Sequence, residues 1–201
     1  MQRQFRAGIL IALALTCITG RTGTAEDASP APASPVSVVA CAAPPRSFAS
    51  ITSVLEETPP ATPAATTGGH TVEVGEPASV AERAEIGAVV TEWLACQNDG
   101  ELLRSWALFS DAYLHRLLSR QGAFPESVYD DWATPQPADE ATATLLEITG
   151  ERRLDDGRLG AIVRIRYASV PMPKQFFFYF TEQDESLVID GILGEISFSV
   201  P

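Results

Sequence analysis

The chain has 201 residues, is 45% hydrophobic and carries a formal charge of -12 at pH 7. That length suits one domain with appendages. A scattered acidic excess repels phosphate backbones and anionic lipid, which sets nucleic-acid binding aside and reads as solubility rather than as an acidic docking surface.

Met1 to Ala25 has the three parts of a secretory signal. Arg3 and Arg6 make a basic start, Ala7 to Gly20 an apolar middle, and Gly23-Thr24-Ala25 a small-residue cleavage site. The apolar run falls short of the roughly 20 residues that a membrane span needs. Cleavage after Ala25 removes three arginines and no acid, taking the charge from -12 to -15. The alternative is a lipoprotein anchored through Cys17. There Ala14-Leu15-Thr16 departs from the usual lipobox at Thr16, so membrane attachment is expected only if Cys17 is lipidated.

Residues 26–79 read as a tether. Glu26 to Ser37 and Glu57 to Gly69 are rich in Ala, Pro, Thr and Ser, and such stretches bury too little apolar area to offset the entropy of ordering. Between them, Phe48, Ile51, Val54 and Leu55 recur at helical spacing after Pro44-Pro45, which predicts a short docked helix near residues 46–55. Cys41 and Cys96 are the pair left once Cys17 is removed or lipidated. In an exported chain an even pair predicts a Cys41–Cys96 disulfide, the alternative being two buried thiols.

Ser79-Val80-Ala81-Glu82 fits a capping box and opens a helix. Ile86, Val89, Val90, Trp93 and Leu94 follow at helical spacing. Asn98-Asp99-Gly100-Glu101 breaks that helix and can cap the next. Leu102, Leu103, Trp106, Phe109, Tyr113, Leu114, Leu117 and Leu118 form a second apolar run, which Ser110-Asp111 interrupts. Phe124, Val128, Tyr129 and Trp132 suggest a short helix or flap.

From Ala141 the pattern becomes sheet. Thr144 to Arg153 and Arg158 to Ala168 flank Leu154-Asp155-Asp156-Gly157, a hairpin turn. Met172 to Glu182 and Leu187 to Phe198 complete an antiparallel meander, with Gln183-Asp184-Glu185 as its last turn. The expected class is α+β, with N-terminal helices packed on an antiparallel sheet.

Two runs carry a family resemblance: Trp93-Leu94-Ala95-Cys96-Gln97-Asn98-Asp99-Gly100, then Trp106-Ala107-Leu108-Phe109-Ser110-Asp111-Ala112-Tyr113-Leu114. With the order of elements, residues 80–198 resemble the nuclear transport factor two-like superfamily, which includes SnoaL-like and ketosteroid-isomerase-like proteins. Many members place an Asn-x-Gly-Asp-like break between these helices, and Glu101 stands where Asp is commoner. The resemblance implies a curved sheet wrapped around helices as a cone with an internal pocket. Members range from isomerases and dehydratases to binding modules and dimerisation domains, so fold does not give function.

Chemical signatures are sparse. Two histidines, His70 and His115, and no Cys/His clustering leave no zinc signature, and no phosphate-cradling loop or nucleophile elbow occurs, so neither metal nor cofactor is expected. Asp111 and His115, spaced i and i+4, could form a carboxylate–imidazole relay. Asp111 could equally cap a helix and His115 stand exposed. Alternation puts Asp190 on one strand face with Val188 and Ile192, where it could act as an acid or base; alternatively it points to solvent or pairs with Arg164 or Arg166. Tyr113, Tyr129 or Tyr179 could donate to a carbonyl. The Phe176–Phe180 run is foremost core, with one face lining whatever cavity the fold leaves.

The expected pocket residues are therefore Trp93, Trp106, Phe109, Tyr113, Tyr129, Trp132, Phe178 and Asp190. The sequence reads as an exported, non-catalytic domain of the cell envelope that binds a small apolar ligand or a partner protein. Its rivals are an isomerase- or dehydratase-like enzyme using Asp190, His115, Asp111 or Tyr113, and a scaffold that homodimerises through its sheet.

Overall fold

Helices come first and a five-stranded antiparallel sheet follows. A computed structural model describes residues 40–57, 75–119, 124–135 and 142–194. The expected signal segment, Cys17, most of the tether and the end of the last expected strand fall outside those residues. The described elements are α1 (Phe48–Glu56), β1 (Gly75–Pro77), α2 (Val80–Asn98), α3 (Leu102–Ala107), α4 (Asp111–Leu118), α5 (Glu126–Ala133), β2 (Ala143–Leu154), β3 (Leu159–Tyr167), β4 (Lys174–Gln183) and β5 (Ser186–Leu193). Among them, no helix is long and apolar enough to cross a membrane.

Local chemistry sets the helix ends. Ser79 and Glu82 close a reciprocal capping box at the start of α2. Gly100 takes a left-handed φ of 70° that few other residues tolerate, and there α2 ends. Glu101 precedes α3 but makes no side-chain cap. Asn98 works across space instead: its side-chain oxygen accepts from the Ala143 N–H at 2.7 Å and its amide donates to the Ala143 carbonyl at 2.9 Å, fixing the start of β2. Ser110, not Asp111, caps α4 through the Tyr113 N–H at 3.0 Å.

The strands run in the order β1-β2-β3-β4-β5, every pair antiparallel. β1 was not expected, because Gly75-Glu76-Pro77 shows no alternation. It forms where β2 offers an edge, and a Cβ at Gly75 would collide with the Arg153 carbonyl. The turn between β4 and β5 puts Asp184 and Glu185 at φ of 51° and 63°, the primed geometry that matches strand twist.

One sheet face meets the helices. Leu159, Ala161, Val163 and Ile165 of β3, with Phe178 and Phe180 of β4 and Ile189 of β5, join Ile86, Val90, Trp93 and Leu94 of α2 in the main core. Ile51 and Val54 of α1 enter the same core, and burying each contributes about 1.5–3 kcal/mol. The alternate residues Phe177 and Tyr179 pack with Leu154, Ile162 and Leu193 in a smaller cluster on the opposite face. Gly160 leaves room there, since a Cβ would stand 2.6 Å from the Phe177 ring.

The segment ahead of α1 is fastened at several points. Cys41 and Cys96 form a disulfide with their Cα atoms 4.6 Å apart, which ties it to the last turns of α2. Arg46 donates to the carbonyls of Trp106 at 3.1 Å and Phe109 at 2.7 Å, and its N–H reaches Leu103. The disulfide is compatible with an extracytoplasmic location.

Candidate functional site

Seven of the eight expected pocket residues belong to one core cluster, in which the ring contacts fall into two groups, and Asp190 stands outside it. Trp106 of α3 and Trp132 of α5 meet edge to face, with centroids 4.8 Å apart. Phe124 stacks between Trp132 and Phe48, and Tyr129 meets Phe48 at 5.6 Å while donating its hydroxyl to the Arg46 carbonyl. This aromatic cluster clamps α1 and α5 onto α3. Its rings and its phenol are used in packing.

Asp190 lies elsewhere, in a β-bulge. Phe180 pairs with Ile189 and Tyr179 with Gly191, so Asp190 is the additional residue between them. Alternation read straight through Asp190 therefore fails: Ile192 is the register partner of Phe178 and packs on the main core. The partners differ from expectation too. Arg164 pairs with Glu147, whereas Asp190 takes the Arg158 guanidinium at 3.2 Å and the Ser110 hydroxyl at 2.6 Å. Arg116 stands 3.7 Å away and donates to the Asp190 main-chain carbonyl. Nothing in an apolar run signals a bulge, and Arg158, at the start of the strand after the hairpin turn, carries no sign of a partner 32 residues away, so this cluster was not legible in the sequence.

The cluster is a structural lock. Arg158 lies 4.4 Å over the Tyr179 ring and also pairs with Asp156 at 2.7 Å. Burial pushes the Asp156 carboxyl up, but hydrogen bonds and charge from Arg158 outweigh it and hold it below its ordinary value. Burial likewise opposes the charge on Arg158, and Asp156 and Asp190 reverse that effect and raise its pKa. The segment before α4 then docks on β5 by main-chain bonds, Ser110 N–H to the Ile189 carbonyl and Ile189 N–H to the Leu108 carbonyl.

Asp111 faces Arg46 at 2.6 Å rather than joining a relay with His115. His115 sits half-buried in the last turn of α4.

The second group of ring contacts lies along the inner strip of β4 and β5. Trp93 meets Phe178 edge to face at 5.4 Å, Phe178 is in register with Ile192, and the Ile192 backbone hydrogen-bonds Tyr113. Phe109 packs 5.0 Å from Tyr113. Burial raises the Tyr113 pKa above 10.0, with the Ile192 hydrogen bond and Arg116 opposing and the Asp190 charge assisting. Trp93 is 9% exposed, and its indole N–H is the one buried side-chain polar atom without a hydrogen-bond partner among the described residues. Four of the expected residues, Trp93, Phe109, Tyr113 and Phe178, are thus linked through β4 and β5 in one apolar strip of the core. We take this strip as the candidate site.

Among the described residues no group of three or more His, Cys, Asp or Glu could hold a metal ion. Compared with known protein families, curated proteins and solved structures, the chain matches none.

Proposed function

We propose that the chain is an exported binding domain of the nuclear transport factor two-like cone type, taking a small apolar molecule against the inner face of its sheet without transforming it. What supports the cone is the order of helices and meander, together with bulges in β2 and between β4 and β5, which bend strands. What supports export is the disulfide and the signal-like start of the sequence.

The observation that carries the binding reading is the make-up of the inner strip: aromatic and aliphatic side chains plus a spare indole donor. Binding sites for small molecules are built this way, mostly apolar with few polar groups that fix orientation. Acid–base catalysis asks for a titratable group within reach of substrate. Asp190, the one buried charged residue among those described, instead spends both carboxylate oxygens on Ser110 and Arg158.

Native mass spectrometry of the protein purified from its own export route tests the reading. A small molecule retained on the folded monomer is expected. An empty monomer that also fails to take up apolar probes would overturn it, and an empty dimer would shift the weight to the scaffold.

A further inference from the structure

We propose that residues 40–57 form a redox-latched strap: opening the Cys41–Cys96 bond with a dithiol frees α1 from its seat on α3, α4 and α5 while the sheet stays folded, and the vacated seat takes an arginine-led amphipathic helix of a partner protein. The inference is independent of the binding reading above. Every hydrogen bond, ion pair and ring contact that the strap makes with the other described residues ends on α2–α5 or on the turns between them, none on a strand. Other bonds join those helices to the sheet: Asn98 to Ala143, Ser110 to Ile189 and Ala78 to Glu151. The strap can therefore leave as a unit of its own without breaking any of them, which is how local opening differs from global unfolding. Residues 58–69, between α1 and β1, are only Thr, Pro, Ala and Gly, the composition of a tether.

Cys96 is fully buried and Cys41 partly exposed, so an incoming thiolate reaches the Cys41 sulfur first. It bonds to that Sγ, the S–S bond breaks, and Cys96 leaves as a thiolate that takes up a proton. The second thiolate of the reductant attacks the mixed disulfide and releases Cys41, which is protonated in turn. The dithiol departs as its own disulfide, having supplied two electrons. The seat then defines its occupant. Arg46 donates from Nε to the Trp106 carbonyl at 3.1 Å, from Nη2 to the Phe109 carbonyl at 2.7 Å and from Nη1 to the Asp111 carboxylate at 2.6 Å. A guanidinium offers these donors in one fixed fork, which an ammonium does not match. Phe48, Ile51 and Val54 follow that anchor at helical spacing, Phe48 against Phe124 and Tyr129 and the two aliphatic residues in the core. Grooves that take amphipathic helices read anchors spaced in this way.

Hydrogen exchange of the full protein, oxidised and then reduced with dithiothreitol, tests the latch. Exchange is expected to rise in residues 40–57 and in α5 while β3 and β4 keep their protection. Unchanged exchange in the strap, or loss of protection throughout the sheet, overturns the latch. A fluorescent peptide of residues 44–57 then probes the seat by anisotropy. It is expected to bind reduced Arg46→Ala protein, whose own strap lacks the anchor, and not the oxidised wild type. If Arg46→Ala does not fold, reduced Val54→Ala takes its place. Replacing the arginine of the peptide by lysine should weaken binding about tenfold, the worth of one charge-assisted hydrogen bond. A peptide that fails to bind the reduced variant overturns the seat as a docking surface, and equal affinity of the two peptides overturns its choice of arginine.

Discussion

Arg46 places its guanidinium 2.6 Å from the Asp111 carboxylate, across 65 residues of chain. The two side chains are not equally committed. Arg46 is 11% exposed and also satisfies the Trp106 and Phe109 carbonyls, whereas the Asp111 side chain is 45% exposed. Arg46→Ala is expected to lose about 2–4 kcal/mol, because it strands two main-chain acceptors as well as the carboxylate. Asp111→Asn should lose about 1 kcal/mol or less, since a half-exposed ion pair is screened by solvent. Urea unfolding of both variants checks the ordering, and equal losses would mean the carbonyl contacts contribute little.

The disulfide spans a sequence separation of 55 residues. Closing a loop of that size contributes about 4 kcal/mol in the chain-entropy model, an upper figure. Cys96→Ser is therefore expected to lower the melting temperature and to open residues 41–55 to protease. An unchanged melting temperature and cleavage pattern would show that Arg46 and the burial of Ile51 and Val54 hold the segment unaided.

The bulge lock predicts a different pattern. Asp190→Ala leaves Arg158 with Asp156 alone and frees the Ser110 hydroxyl, and should cost about 3 kcal/mol. Ser110→Ala removes both the cap of α4 and a bond to Asp190, and should cost about 1–2 kcal/mol. Because the two side chains touch, the double variant should lose less than the sum of the single losses. Strict additivity in denaturant melts would deny the contact.

Alkaline stability should depend on Tyr113. Burial holds its phenol protonated above the ordinary value of 10.0. A pKa raised by folding gives a contribution fully present below pH 10 and lost as pH climbs through the unfolded value towards the folded one. Tyr113→Phe should accordingly flatten the loss of melting temperature above pH 10. An ultraviolet titration should show a phenol ionising late in the folded protein and absent from the variant.

Local physics made much of this fold legible in one dimension. The Ser79–Glu82 box, the break at Gly100 and the turn at Gly157 are short-range devices, so the residues that build them stand together in the sequence. Helical spacing of Ile86, Val90, Trp93 and Leu94, alternation in β3 and the continuous aromatic run of β4 likewise announced which side chains are buried. The Cys41–Cys96 pairing followed from there being no other partner for either cysteine once Cys17 is removed or lipidated. What the tertiary structure decided was everything that depends on two distant segments meeting. β1 exists only because β2 presents an edge to it, and the bulge at Asp190 exists only through the register of β5 against β4. That one added residue turned a carboxylate expected beside Ile192 towards Arg158 and Ser110, because a single-residue shift in a strand reverses the faces of all that follows. The unmet indole of Trp93 belongs to the same class, since a hydrogen bond that is missing is a property of neighbours and not of a sequence.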